Sequence, residues 1–150
     1  MNRLSLRAIA SRLEQGEYET VVKELMELKP SMRPERLLPL AWLSLRAWSA
    51  ILNVFGANAP PSTERLSRLE VLLTQLAVEA RVIALRGIVD EVHARELSTL
   101  LIDDKLVSLL RSCRAGQCNP RAVVKYAELF RLLGEVLALA AGGVRDCIPA

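Results

Sequence analysis

The sequence predicts an all-α protein, a compact or slightly elongated bundle of about six helices forming a single domain over residues 1–150. Apolar residues recur at three- and four-residue spacing through most of the chain, and no segment alternates at period two as a half-buried strand would. Most of the seven glycines and seven prolines fall between those stripes, where helices end and begin. A chain of this length folds as one domain and buries roughly 70% of its unfolded surface.

Leu6, Ile9, Ala10 and Leu13 mark a first helix from about Leu4 to Gln15, with Gly16 supplying the left-handed residue beyond its end. Tyr18, Val21, Val22, Leu25 and Leu28 mark a second, ending before Pro30, and the two read as an antiparallel N-terminal hairpin. Gly16-Glu-Tyr18 with Val21, Leu25, Leu28 and Pro30 resembles the second half of a tetratricopeptide repeat. No second copy follows at a 34-residue offset, and a single repeat does not build a solenoid.

Ser31 to Pro39 reads as a proline-punctuated connection, since proline suits a helix's first turn. Leu40 to Phe55 follows, carrying Trp42, Trp48, Ile51 and Phe55 with Arg46 as its one charge. A helix apolar nearly all round belongs in a core, so residues near 40–55 are expected to form the buried central helix. Gly56 to Pro61 is a loop, and Ser62 or Thr63 caps the next helix, with Glu64 near its positive end.

Leu66, Leu69, Leu73, Leu76, Ala80 and Ile83 alternate by three and four, a seam that packs along its length against near-parallel neighbours. Unbroken from Thr63 to His93, that helix would be about 46 Å long at 1.5 Å per residue. A compact globule of this length is only about 40 Å across, so a bend is expected, with Gly87 its place. Asp103 caps a further helix with Leu106, Val107, Leu109 and Leu110, and Cys113 to Asn119 is a turn. Asn119 and Pro120 open the last helix, whose stripe runs from Val123 to Ala140 and which Gly142-Gly143 closes. The tail over 144–150 reads as irregular.

Hydrophobic residues make up 51% of the chain and aromatics only 4%, so the core is aliphatic. A mean hydropathy of +0.23 is high for a monomer this small, and part of the excess is expected on a partner-facing surface. No run approaches the about 20 apolar residues of a membrane span: Ala47 to Thr63 is interrupted by Asn and Pro, and Val136 to Val144 is short. Arg3, Arg7 and Arg12 leave no signal-peptide-like apolar stretch, so a cytoplasmic protein with no membrane contact is expected. Cys113, Cys118 and Cys147 are then expected as reduced thiols, although a bridge between Cys113 and Cys118 is sterically possible.

Chemistry-bearing motifs are sparse, and the sequence predicts no catalytic residues, cofactor or metal. One histidine excludes a self-contained di-iron bundle site, and Cys113, Cys118, Cys147 and His93 lack the tight pairs of a zinc centre. Asp90 and His93 stand one turn apart and read as an ordinary surface contact. Arg86 and His93 fit the Arg-to-His spacing of HEPN-type helical ribonucleases, which the stretch Arg86-Gly-Ile-Val-Asp-Glu-Val-His93 resembles. That resemblance implies a phosphate-steadying Arg and a His assisting attack by a ribose 2′-hydroxyl. The sequence departs from the family's pattern at Gly87, where a polar residue is usual, and in the long stretch that follows His93.

The net charge of +3 is mild. Arg111, Arg114, Arg121 and Lys125 bracket the Cys113–Asn119 turn and are candidates for nucleic-acid contact in an accessory subunit. The leading expectation is a non-catalytic helical interaction or assembly subunit, oligomeric or part of a larger complex. Leu66, Leu69, Leu73 and Leu76 are its candidate interface residues.

Overall fold

The structure, a computed structural model, describes residues 5–28, 34–56 and 61–141. Seven helices and no strand occur among them: α1 (Leu6–Glu14), α2 (Tyr18–Leu28), α3 (Pro34–Phe55), α4 (Thr63–Leu85), α5 (Glu91–Leu101), α6 (Asp104–Arg114) and α7 (Pro120–Ala140). The all-helical bundle is as the sequence predicts. Arg3, the Gly142-Gly143 closure, Cys147 and the tail lie outside the described residues.

Capping residues set most helix boundaries. Ser5, Ser62, Asp90, Asp103 and Asn119 each accept a backbone N–H of the first turn. Gly16, Gly87 and Gly116 take φ of 79°, 76° and 87°, values a side chain would resist. Each ends its helix in the paired bonds of a Schellman motif: Gly87 N–H donates to Ala84 and Ile88 N–H to Ile83. The expected bend at Gly87 is therefore a full break. Left-handed Gly87 stops α4 and Asp90 starts α5, dividing one expected helix into two.

The chain reverses at that break, and α4 packs on α5 as a hairpin. The N-terminal hairpin is also present: Arg12 on α1 forms a two-pronged pair with Glu24 on α2 and reaches Glu17 in the turn. A contact distant in sequence secures its start. The Glu96 carboxylate on α5 accepts from the Ser5 hydroxyl at 2.9 Å and the Arg7 backbone N–H at 3.1 Å, a negative charge at the positive end of α1.

Two expectations for α3 need correction. It begins at Pro34, not Leu40, and carries Pro39 within it. Proline at the first helical position costs nothing, and burial of Leu37 holds the added turn despite the N–H that Pro39 lacks. Nor is α3 buried all round. Leu40, Ala41, Leu43, Ala47, Ala50 and Ile51 face the core, whereas Leu38 and Trp42 face outward, with Trp42 64% exposed.

The centre is a pair, α3 against α7, which share the most extensive contact in the molecule. Small residues permit it. A Cβ placed on Gly134 of α7 would lie 2.7 Å from Leu45 Cγ and 3.1 Å from the Ala41 carbonyl oxygen on α3. Around this pair, α1, α2 and α6 pack on α7, and α4 and α5 on α3. By length and composition Glu35–Phe55 could cross a membrane, with mean hydropathy 1.3, but half of that window is buried inside the protein.

Candidate interaction surfaces

α4 is apolar on two opposite faces. Leu66, Leu69, Leu73, Leu76 and Ala80 are each at most 2% exposed, turned into contacts with α3, α5 and α6. The four leucines expected at an interface are thus core of this chain. Their seam is taken up internally because three neighbouring helices surround it. At 100° per residue, positions two places from that seam point nearly the other way. There stand Val71, Val78, Val82 and Leu85, exposed by 57%, 55%, 37% and 87%, with exposed Gln75 among them. Val71, Gln75, Val78, Val82 and Leu85 repeat at four, three, four and three residues, the seam spacing of a coiled coil.

α3 borders this outer stripe. Arg65 near the start of α4 donates to the Asn53 carbonyl near the end of α3, and further along Glu79 pairs with Arg46 at 3.2 Å. As α4 advances its partners on α3 recede, so the two run antiparallel. Trp42, one turn before Arg46, therefore lies toward the Val82 end of the stripe, with Leu38 one turn beyond. Ile88 in the break after Leu85 and Val92 in the first turn of α5 are also exposed. Scattered exposed aliphatics are ordinary, whereas an aligned stripe extended by a tryptophan is the mark of a contact surface.

The four basic candidates occupy different surroundings. Arg111 and Arg114 on α6 turn toward α4, where Glu70 meets them at 3.5 and 2.8 Å, and Arg114 also donates to Ser67 at 3.3 Å. Their charge is partly neutralised within the fold. Arg121 and Lys125 are exposed on α7. Lys125 lines a cleft of about 520 Å³ bounded by α1, α6 and α7, together with Leu13, Glu14, Lys105 and Leu129. Acids stand beside bases there, so no single-sign basic face results.

Tyr126 closes one side of that cleft, and its hydroxyl donates to Asp103 at 2.9 Å. Burial, and then the hydrogen bond to Asp103, raise the Tyr126 phenol above its ordinary value. Asp103 also accepts from Lys105 N–H at 3.1 Å, so one carboxylate both caps α6 and ties it to α7.

Arg86 and His93 do not share a helix. Arg86 is the exposed C-cap of α4, and His93 lies half-buried in the first turn of α5. The helical spacing behind the HEPN resemblance is interrupted by the Gly87 turn. Asp90 spends its carboxylate on the backbone N–H groups of Val92 and His93, as a cap.

Cys113 and Cys118 are joined as a disulfide, which corrects the expectation of reduced thiols for this pair. The left-handed Gly116 reverses the chain, Gln117 N–H donates to the Ser112 carbonyl, and Cys118 is brought back beside the end of α6. Among the described residues no three His, Cys, Asp or Glu side chains gather where they could hold a metal ion. No family model, no curated protein and no solved structure matches this sequence.

Proposed function

We propose that this chain is a non-catalytic helical assembly subunit that joins copies of itself through the outer face of α4. The observation that carries this reading is the Val71–Gln75–Val78–Val82–Leu85 stripe, at seam spacing on the side of α4 turned away from the core. Apolar surface aligned over about four turns is stabilised by removal from water, at about 25 cal/mol per Å². Support also comes from the Trp42 indole beside it, since tryptophans concentrate at the energetic centres of interfaces.

Light scattering on the purified chain tests the reading. The expected mass exceeds the 16.6 kDa of one copy and falls to that value in Val78→Glu, with helix content by circular dichroism unchanged. Val78 is exposed, so the substitution leaves the core intact. A wild-type mass of 16.6 kDa at every concentration would overturn the proposal.

A further inference from the structure

We infer that the occupant of the α4 outer face is α4 of a second copy, running antiparallel, so that two chains form a closed two-fold dimer. This rests on the assembly reading above and adds the facing element, its orientation, its register and closure at two copies.

The stripe is complementary to itself when inverted. With the two-fold axis between Gln75 and Val78, Val71 meets Val82 of the second copy, Gln75 meets Val78, and Leu85 meets Arg68, which precedes Gln75 by one heptad. These are the alternating layers that antiparallel helices form at 3.5-residue periodicity. Arg68 pairs with Glu64 in the same helix and offers its aliphatic stem to Leu85. Gln75 is the one uncharged polar residue near the middle of the stripe, and a lone polar residue at such a position fixes register.

Charge favours the same orientation. In-register parallel pairing would set Arg68 against Arg68 and bring Arg81 toward Arg86 of the other chain, adding like-charge repulsion. The antiparallel register places Arg81 beside Thr74 and Glu79 beside Leu72; its one like-charge approach, Arg86 toward Arg65 of the other chain, has Glu64 of that chain next to it and adds no Arg68–Arg68 contact.

The area is also suitable. From their fractional exposures, Val71, Val78, Val82, Leu85, Trp42 and Leu38 together present about 600 Å² per copy, against about 800 Å² per partner in a standard interface. Polar residues flanking the stripe supply the remainder. An isologous contact of this kind closes at two copies, because the same stripe is used on both.

Cross-linking in the full chain tests the orientation. In a Cys147→Ser background, chains carrying Val71→Cys are mixed with chains carrying Val82→Cys and treated with a bismaleimide of about 8 Å span. Antiparallel pairing holds positions 71 and 82 of opposite chains in one layer. It separates 71 from 71 and 82 from 82 by about 16 Å along the axis, eleven residues at 1.5 Å each. The expected product is the mixed Val71→Cys/Val82→Cys dimer, with a solution mass of twice 16.6 kDa before cross-linking. Like-with-like products show parallel pairing, and a larger mass with no product shows assembly through another surface. Parallel pairing overturns this inference while leaving assembly through the α4 face intact, and assembly through another surface overturns the α4 reading as well. A mass of 16.6 kDa for the uncross-linked chain removes both, and wild-type α4 inserting into anionic lipid vesicles in place of dimerising would overturn the choice of occupant.

Discussion

Gly134 fixes how closely α7 can approach α3, and its replacement separates two opposing effects. Within a helix, alanine is favoured over glycine by about 1 kcal/mol, because the unfolded chain loses less freedom. At this position the added methyl would sit 2.7 and 2.8 Å from Leu45 Cγ and Cδ2 and 3.1 Å from the Ala41 oxygen. Overpacking of this kind costs typically about 1–3 kcal/mol. Gly134→Ala is therefore expected to change stability by between nearly zero and about −2 kcal/mol, the gain in propensity offsetting part of the clash. Removing Leu45 reverses the sign. In a Leu45→Ala background the side-chain clash is gone, and the same Gly134→Ala change is expected to stabilise by up to about 1 kcal/mol. The assay is urea unfolding of the four proteins of the cycle, followed by circular dichroism at constant oligomeric state. A coupling energy of about 1–3 kcal/mol is expected, well above the about 0.3–0.5 kcal/mol scatter of independent sites. Equal effects of Gly134→Ala in both backgrounds would refute the close-approach account of the α3–α7 pair.

Three further outcomes follow from contacts elsewhere. The Tyr126 phenol has its pKa raised above the ordinary 10.0 in the folded protein, so its stabilising contribution is complete below about pH 10 and is lost as pH rises further. Unfolding midpoints should therefore fall above pH 10 more steeply in wild type than in Tyr126→Phe, and parallel profiles would count against the Asp103–Tyr126 bond. Reducing Cys113–Cys118 opens a short loop, for which the chain-entropy model gives about 2 kcal/mol; a dithiothreitol-dependent drop in thermal midpoint of several degrees checks this. Glu96→Ala removes the acceptor for Ser5 and Arg7 and should cost about 2 kcal/mol, with increased amide exchange confined first to α1. Unchanged protection of α1 would show that the cap is not needed.

The helices were legible because their signals are local. Ser62, Asp103, Asn119 with Pro120, and the glycines at 16, 87 and 116 act within a few residues of themselves, so the pattern reads directly along the chain. What the sequence hides is which face each stripe meets. Leu66 to Leu76 announce burial, and only the placement of α3, α5 and α6 shows that the burying neighbours belong to the same chain. The outer stripe was obscured because its three valines and a leucine are interleaved along the chain with the leucines and alanines that face the core. Glu96 was missed because no local pattern connects a carboxylate to an N-terminus about 90 residues earlier. Trp42 misled for a related reason: an indole in an apolar helix reads as core until the proline-started turn and the position of α7 fix which side is in.

The dependence of α3 on α7 has a consequence during synthesis. Residues Leu40 to Ile51 emerge from the ribosome well before their main cover, and the 85 residues from Phe55 to Ala140 take roughly 4–17 s to add at about 5–20 residues per second. Through that interval α3 gains α4 and then α5, but not the helix it fits most closely. Final folding is accordingly a late event, timed by the arrival of Gly134 and its neighbours. Until then the growing chain presents an adhesive apolar face that a chaperone, or the same face on a nascent copy nearby on the same message, is positioned to meet.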